Sequence, residues 1–179
     1  MSATRTKWNN HQRVGIFVDV QNMFYSAKAL HHSKIDYSKL LLEIVADRHL
    51  IRAIAYVVQK ADVDQSAFIE TLTRLGYEIK TKELRMRPDG TAKGDWDMGI
   101  AIDSIAISPK LDTVVLVSGD GDFAPLVHML KARGCRVEVV SFRKSTALEL
   151  VGAATIYTSI EESLLFKERK SVKDENQYD

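Results

Sequence analysis

Four aspartates stand where the surrounding residues make a carboxylate expensive. Asp19 ends the apolar run Val14-Gly15-Ile16-Phe17-Val18, and Asp97 lies in Lys93-Gly94-Asp95-Trp96-Asp97. Asp120 and Asp122 follow Val114-Val115-Leu116-Val117 in the segment Ser118-Gly119-Asp120-Gly121-Asp122-Phe123. Clustered carboxylates repel one another unless protons, cations or a hard divalent metal neutralise them. If these acids converge, the simplest chemistry they support is metal-dependent hydrolysis of a phosphodiester.

Convergence depends on the elements that carry them. Apolar runs alternate with stretches of helical periodicity almost from end to end, the mark of βαβ units in a mostly parallel sheet covered on both faces, a three-layer α/β/α sandwich. The pattern predicts strands near 14–19, 51–58, 77–83, 112–118, 136–142 and 155–157. Helices are predicted near 21–31, 37–48, 62–75, 96–107, 121–133 and 145–153, with a last one near 159–168. Asp36 or Asp62 can cap a following helix, Gly76 and Gly134 suit the left-handed residue that ends one, and Pro125 suits a first turn. In an open parallel sheet ligands bind beyond the carboxyl ends of the strands where the strand order reverses. A 3-2-1-4-5 order makes the first and fourth strands neighbours at that crevice, so Asp19 and Asp120 meet there. Asp97 opens the fourth helix and points the same way.

The 179 residues are 45% hydrophobic and 27% charged, which suits one domain with its own core. The lone Cys135 cannot form an intrachain bridge, and the five histidines lack zinc-ligand spacing. With no apolar stretch suited to a signal peptide or a membrane span, the expectation is a cytoplasmic protein with no membrane role. A formal net charge of +1 announces no polyanion partner, so any such argument rests on local clusters. Residues 1–12 read as an N-terminal extension and 169–179 as a disordered polar tail with too little apolar area to fold. The segment 85–94 reads as a flexible basic loop with Pro-Asp-Gly turn chemistry.

Three ordered motifs carry a resemblance. Phe17-Val18-Asp19-Val20-Gln21-Asn22, then Lys93-Gly94-Asp95-Trp96-Asp97 with Ala101-Ile102-Asp103, then Ser118-Gly119-Asp120-Gly121-Asp122-Phe123 resemble the signature motifs of NYN domains, in particular the LabA-like branch. The resemblance covers roughly residues 13–160, within a domain expected over 13–168. It implies a PIN-like fold and metal-dependent ribonuclease chemistry, with Asp19, Asp97, Asp120 and Asp122 as metal-site acids and Asn22 and Asp103 in support. The chain departs from the family at Ala153-Ala154-Thr155, where an Ala-Asp pair is frequent. Mg2+ or Mn2+ suits such acids because hard cations take oxygen ligands and keep several waters. Asp19, Asp97 and Asp120 are then the expected direct ligands, with Asp122 binding directly or through water. Asp103 lies about 240° around an ideal helix from Asp97, so it is expected in a supporting place or at a second metal.

Other residues carry two readings each. Asn22 either caps the first helix or orients Asp19 and a phosphate, and Ser118 either closes a turn or offers its hydroxyl to a carboxylate. Asp95 reads as a helix cap only. Lys93 and Arg143, from the basic clusters at 80–93 and 131–144, are the preferred phosphate contacts. Trp96 is preferred over Tyr25 and Tyr56 as a stacking surface for unpaired bases, Tyr56 being better suited to the core. The Gly-Asp-Gly-Asp segment lacks the third glycine of a dinucleotide loop. A dehalogenase-like phosphatase fits poorly, because Val20, Gln21 and Asn22 follow Asp19 where that chemistry wants a second acid two residues on. The expected function is therefore a ribonuclease acting on single-stranded RNA. The alternative is a non-catalytic RNA-binding or regulatory module that retains the fold. A homodimer suits a small domain whose shallow groove needs a second wall.

Overall fold

The computed structural model describes residues 11–86 and 92–166. The chain runs β1 (Arg13–Asp19), α1 (Val20–His31), α2 (Tyr37–Val45), β2 (His49–Gln59), α3 (Ser66–Arg74), β3 (Glu78–Glu83), β4 (Arg85–Met86) and β5 (Ala92–Lys93). It continues through α4 (Asp97–Ile107), β6 (Thr113–Val117), α5 (Ala124–Ala132), β7 (Arg136–Ser141), α6 (Leu148–Ala153) and β8 (Ile156–Ser159). Six strands form one sheet in the order β3-β2-β1-β6-β7-β8, with every pairing parallel. This is the expected order, extended by β8 at the edge.

Alternation along the strands builds the two outer layers. Ile16, Val18, Ala55, Val57 and Val115 join Met23, Leu40 and Leu72 from α1, α2 and α3 in one core. Phe17, Ile54, Tyr56, Val114 and Leu116 face the other way, onto Ile100, Val127 and Leu150 from α4, α5 and α6. β1 and β6 are buried on both faces, which is why they read as unbroken apolar runs. Gly76 and Gly134 hold φ of 97° and 91°, ending their helices as expected. Asp36 caps α2 by accepting from the Ser38 and Lys39 N–H groups, an arrangement worth about 1 kcal/mol.

Several boundaries differ from the sequence pattern, each for a local reason. α2 stops at Val45 because Ala46 turns to a φ of 49° and its N–H closes on the Leu42 carbonyl. α3 begins at Ser66 because Val63 closes a turn on Lys60 and Asp64, rather than Asp62, accepts from the Ser66 N–H. The expected final helix at 159–168 is instead the end of β8 and a single 3₁₀ turn, Glu162–Leu164. Its Leu164 and Leu165 are both buried as neighbours, and Leu165 bridges Ile35, a pattern that suits a covering segment rather than a helix stripe. The basic 85–94 segment is framed by the antiparallel pair β4-β5, with Arg85 opposite Lys93. Its Pro-Asp-Gly turn, the first ten residues of the N-terminal extension and the 169–179 tail lie outside the described residues.

Candidate metal centre

The crevice opens where β1 and β6 end side by side. Val18 pairs with Val117, so Asp19 and Ser118 leave the sheet as neighbours. Asp19 caps α1, its Oδ1 accepting from the Asn22 backbone N–H at 3.1 Å. Its Oδ2 accepts from the Ser118 hydroxyl at 3.2 Å. The same Ser118 oxygen accepts from the Asp120 N–H at 3.2 Å, so one wholly buried hydroxyl joins the two strand ends. Burial pushes the Asp19 carboxyl above its ordinary range, and the charges of Asp120 and Asp95 push the same way, against those two hydrogen bonds.

The β6 corner is held from both sides. The Gly119 N–H donates to the Asn22 side-chain oxygen at 3.0 Å, while its carbonyl accepts from Ala147 at 3.0 Å. A Cβ on Gly119 would stand 2.8 Å from the Ser145 carbonyl, so only glycine lets the β7–α6 connection approach this closely. Asp120 then caps the 3₁₀ turn Gly121–Phe123 through the Asp122 N–H, at 3.0 Å. That turn bends the chain sharply and sets Asp122 beside Asp120.

Asp97 arrives from the opposite wall, in the first turn of α4. The preceding Trp96 fixes that entry: its indole N–H donates to the Val57 carbonyl at 3.1 Å and its ring meets Tyr56 at 5.3 Å. Carboxylate oxygens of Asp97, Asp120 and Asp122 come within 4.8 Å of one another. Desolvation raises Asp97, and the charges of Asp120, Asp19, Asp95 and Asp122 raise it further, to about 6. Among the described residues no Lys or Arg forms an ion pair with any of the three. Half-exposed, mutually repelling oxygens that no Lys or Arg pairs with among the described residues are the donor set a hard divalent ion takes. The residues present therefore fit such an ion, with Asp19 standing outside the trio and coupled to it through Ser118 and through charge.

The motif order, the parallel sheet and this acidic crevice coincide with a match of the NYN domain profile over residues 13–161. The chain belongs to the NYN domain family. NYN domains are PIN-like nucleases as a family. The chain is 31% identical to "Low amplitude and bright protein LabA" of Synechococcus elongatus, over 88% of each chain. It is 26% identical to an uncharacterized protein of Methanocaldococcus jannaschii, over 96% of this chain and 65% of that one. Among solved structures, a protein of unknown function from Vibrio parahaemolyticus superposes with a TM-score of 0.82 at 34% identity, over 90% of this chain and all of that one.

Within the NYN domain the remaining sequence-derived candidates have definite places. Asn22 does not cap α1, a role Asp19 takes; its amide ties α1 to the β6 corner. Asp103 is drawn away from the trio, accepting from the Tyr56 hydroxyl at 2.7 Å and from Lys80 at 2.6 Å. Burial opposes its ionisation, but those bonds and the charges of Lys80 and Arg52 outweigh it and hold the carboxyl below its ordinary range. Trp96 is half-buried, its ring against Gly99 and the Lys82 ammonium 4.7 Å from its centre, which makes it a wall of the crevice. Arg143 lies exposed just past β7, its guanidinium 5.8 Å from the Tyr157 ring. Lys93 is set in β5 opposite Arg85.

Asp95, Glu149 and Lys60 were not among the site residues expected from the sequence. Asp95, set aside as a cap, lies near enough to raise both Asp19 and Asp97. The Glu149 carboxylate leans over Gly121, where an added Cβ would stand 2.4 Å from its Oε1. Lys60 just past β2 and Lys82 near the end of β3 lie at the same carboxyl edge of the sheet as Arg143 and Lys144 just past β7. Strand-end position, more than charge clustering, is the signal that finds Lys60.

Proposed function

We propose that this NYN domain is a metal-dependent ribonuclease that hydrolyses single-stranded RNA at the Asp97–Asp120–Asp122 cluster. The observation that carries the reading is this trio of carboxylates, within 4.8 Å of one another beside the carboxyl ends of the central strands and without an ion-pair partner among the described residues. A pure binding surface gains nothing from mutually repelling carboxylates. For the same reason the proposal ranks above a regulatory module of the same fold.

A Mg2+ or Mn2+ ion held by these acids supplies a water of lowered pKa and neutralises phosphate charge. Asp97, Asp120 and Asp122 contribute the oxygens that hold it. Asp19, clamped by the Asn22 N–H and the Ser118 hydroxyl, fixes the β6 corner and adds negative potential behind them. Lys60, Lys82, Arg143 and Lys144, at or just past the carboxyl ends of β2, β3 and β7, are the cations proposed to draw in a phosphate backbone, with Lys93 as a further contact. The same reading takes RNA as substrate, the cytoplasm as the place of work and a homodimer as the assembly that walls the groove. No helix among the described residues is long and apolar enough to cross a membrane.

The test is cleavage of labelled single-stranded RNA by purified protein with Mn2+ or Mg2+, alongside Asp120→Asn and Asp19→Asn. Metal-dependent cleavage by the wild type and its loss in both variants is expected. Equal cleavage by all three, or none by folded wild type with either metal, overturns the proposal.

A further inference from the structure

We propose that Phe24 and Tyr25, flanked by Lys60 and Lys28, form a stacking platform for unpaired nucleobases of the RNA strand entering the acidic crevice. The platform rests on the nucleic-acid reading above and adds the surface that grips the bases. It begins from a helix with more apolar surface than its core needs. α1 buries Val20, Met23 and Ala27, yet exposes Phe24 and Tyr25 at 44% and 47%. Single exposed aromatics are ordinary, but here two adjacent rings meet edge to face, 5.5 Å apart at 74°.

Their position relates them to the site. Asp19 caps α1, so at 1.5 Å per residue these rings lie roughly 8 Å along the helix from it. On one flank the Lys60 ammonium donates to the Tyr25 hydroxyl at 3.0 Å and sits 5.6 Å from the ring centre. Lys60 immediately follows β2, whose Tyr56 pairs with Asp19, so the cation stands on the crevice rim with Asp62 nearby. On the other flank Lys28 is exposed one turn further along α1.

The combination selects its occupant. An apolar peptide would cover the rings but strip water from Lys60 without supplying a counter-charge. A single-stranded nucleic acid meets both demands, with bases on the rings and phosphates beside the ammonium groups. Trp96 and Tyr56 cannot serve as well, since both rings are engaged with each other and with the walls of the fold.

Fluorescence anisotropy in EDTA tests this without any cleavage, using a labelled oligouridylate and an abasic ribose-phosphate oligomer of equal length. The double variant Phe24→Ala/Tyr25→Ala is expected to lose about tenfold or more in affinity for the oligouridylate and nothing for the abasic strand. Tyr25→Phe, which keeps the ring, retains wild-type affinity. Matching far-ultraviolet circular dichroism establishes folding; should the alanine pair unfold, Phe24→Leu/Tyr25→Leu keeps apolar area without a π face and is expected to show the same selective loss. Wild type that prefers neither strand, or variants that lose both equally or neither, overturns the platform. Cleavage is scored separately: aromatic-dependent binding without cleavage removes the nuclease reading alone, and cleavage with aromatic-independent binding removes the platform alone.

Discussion

Replacing Asp97 with asparagine should stabilise the metal-free protein, and the size of the gain follows from its neighbours. The fold lifts this carboxyl from 3.8 to about 6, first through burial and then through the charges of Asp120, Asp19, Asp95 and Asp122. Fully expressed, that shift corresponds to about 3 kcal/mol of destabilisation by the ionised form. The group is only half-buried, so screening by water reduces the working figure to about 1–2 kcal/mol. Its charge also interacts favourably with the α4 N-terminus by about 0.5 kcal/mol, which the variant forfeits. The net gain is about 1 kcal/mol, or about 2–4 °C in melting temperature for a domain of this size.

The sign of the pH dependence follows. An acid whose folded pKa is raised costs stability when ionised, so the cost is fully present above about 6 and disappears as pH falls below the ordinary carboxylate range. Asp97→Asn should therefore melt higher than wild type at pH 8 in EDTA, with the difference closing by about pH 4. Added Mn2+ reverses the ranking, since a ligand at a hundred times its Kd stabilises the wild type by about 2.7 kcal/mol and the variant has lost a donor. Differential scanning fluorimetry reads all three conditions. A variant that melts no higher than wild type at pH 8, or that keeps the full Mn2+ response, refutes the repulsion argument.

Ser118→Ala should cost about 1–3 kcal/mol, because the Asp120 N–H and the Asp19 carboxylate lose the hydroxyl that joins them; chemical denaturation measures the loss, and the Mn2+-induced shift should shrink with it. Gly119→Ala places a Cβ 2.8 Å from the Ser145 carbonyl and should destabilise by about 1–3 kcal/mol, read by the same denaturation curves, whereas Gly152→Ala, with nothing within 4 Å, should not lower stability. RNA affinity should fall as salt rises, and Lys82→Ala or Arg143→Ala should each flatten the log–log slope by about one if that side chain meets a phosphate.

The parts of this architecture that were legible in the sequence are those where one local pattern has one structural solution. An apolar run buried on both faces and ending in a polar residue ahead of or at an acid, as at Val18-Asp19 and Val117-Ser118-Gly119-Asp120, belongs in a central parallel strand, and the sheet order then brings the two ends together. Proposals about which acids hold metal rest on that juxtaposition. Less was legible wherever side chains choose partners across the fold. Asn22 is a natural cap by type, yet Asp19, three residues earlier, holds the cap position, so the asparagine is released to bind Gly119. Asp103 shares a helix with Asp97, but its partners Tyr56 and Lys80 come from β2 and β3, and no spacing within α4 announces them. Trp96 lies between two acids in sequence and among Val57, Tyr56 and Gly99 in space. That packing has a consequence for the site: a ring locked on both β2 and α4 sets where the helix begins, and hence how near Asp97 comes to the β6 acids. The repulsion that raises Asp97 is thus held in place by apolar contacts on its far side.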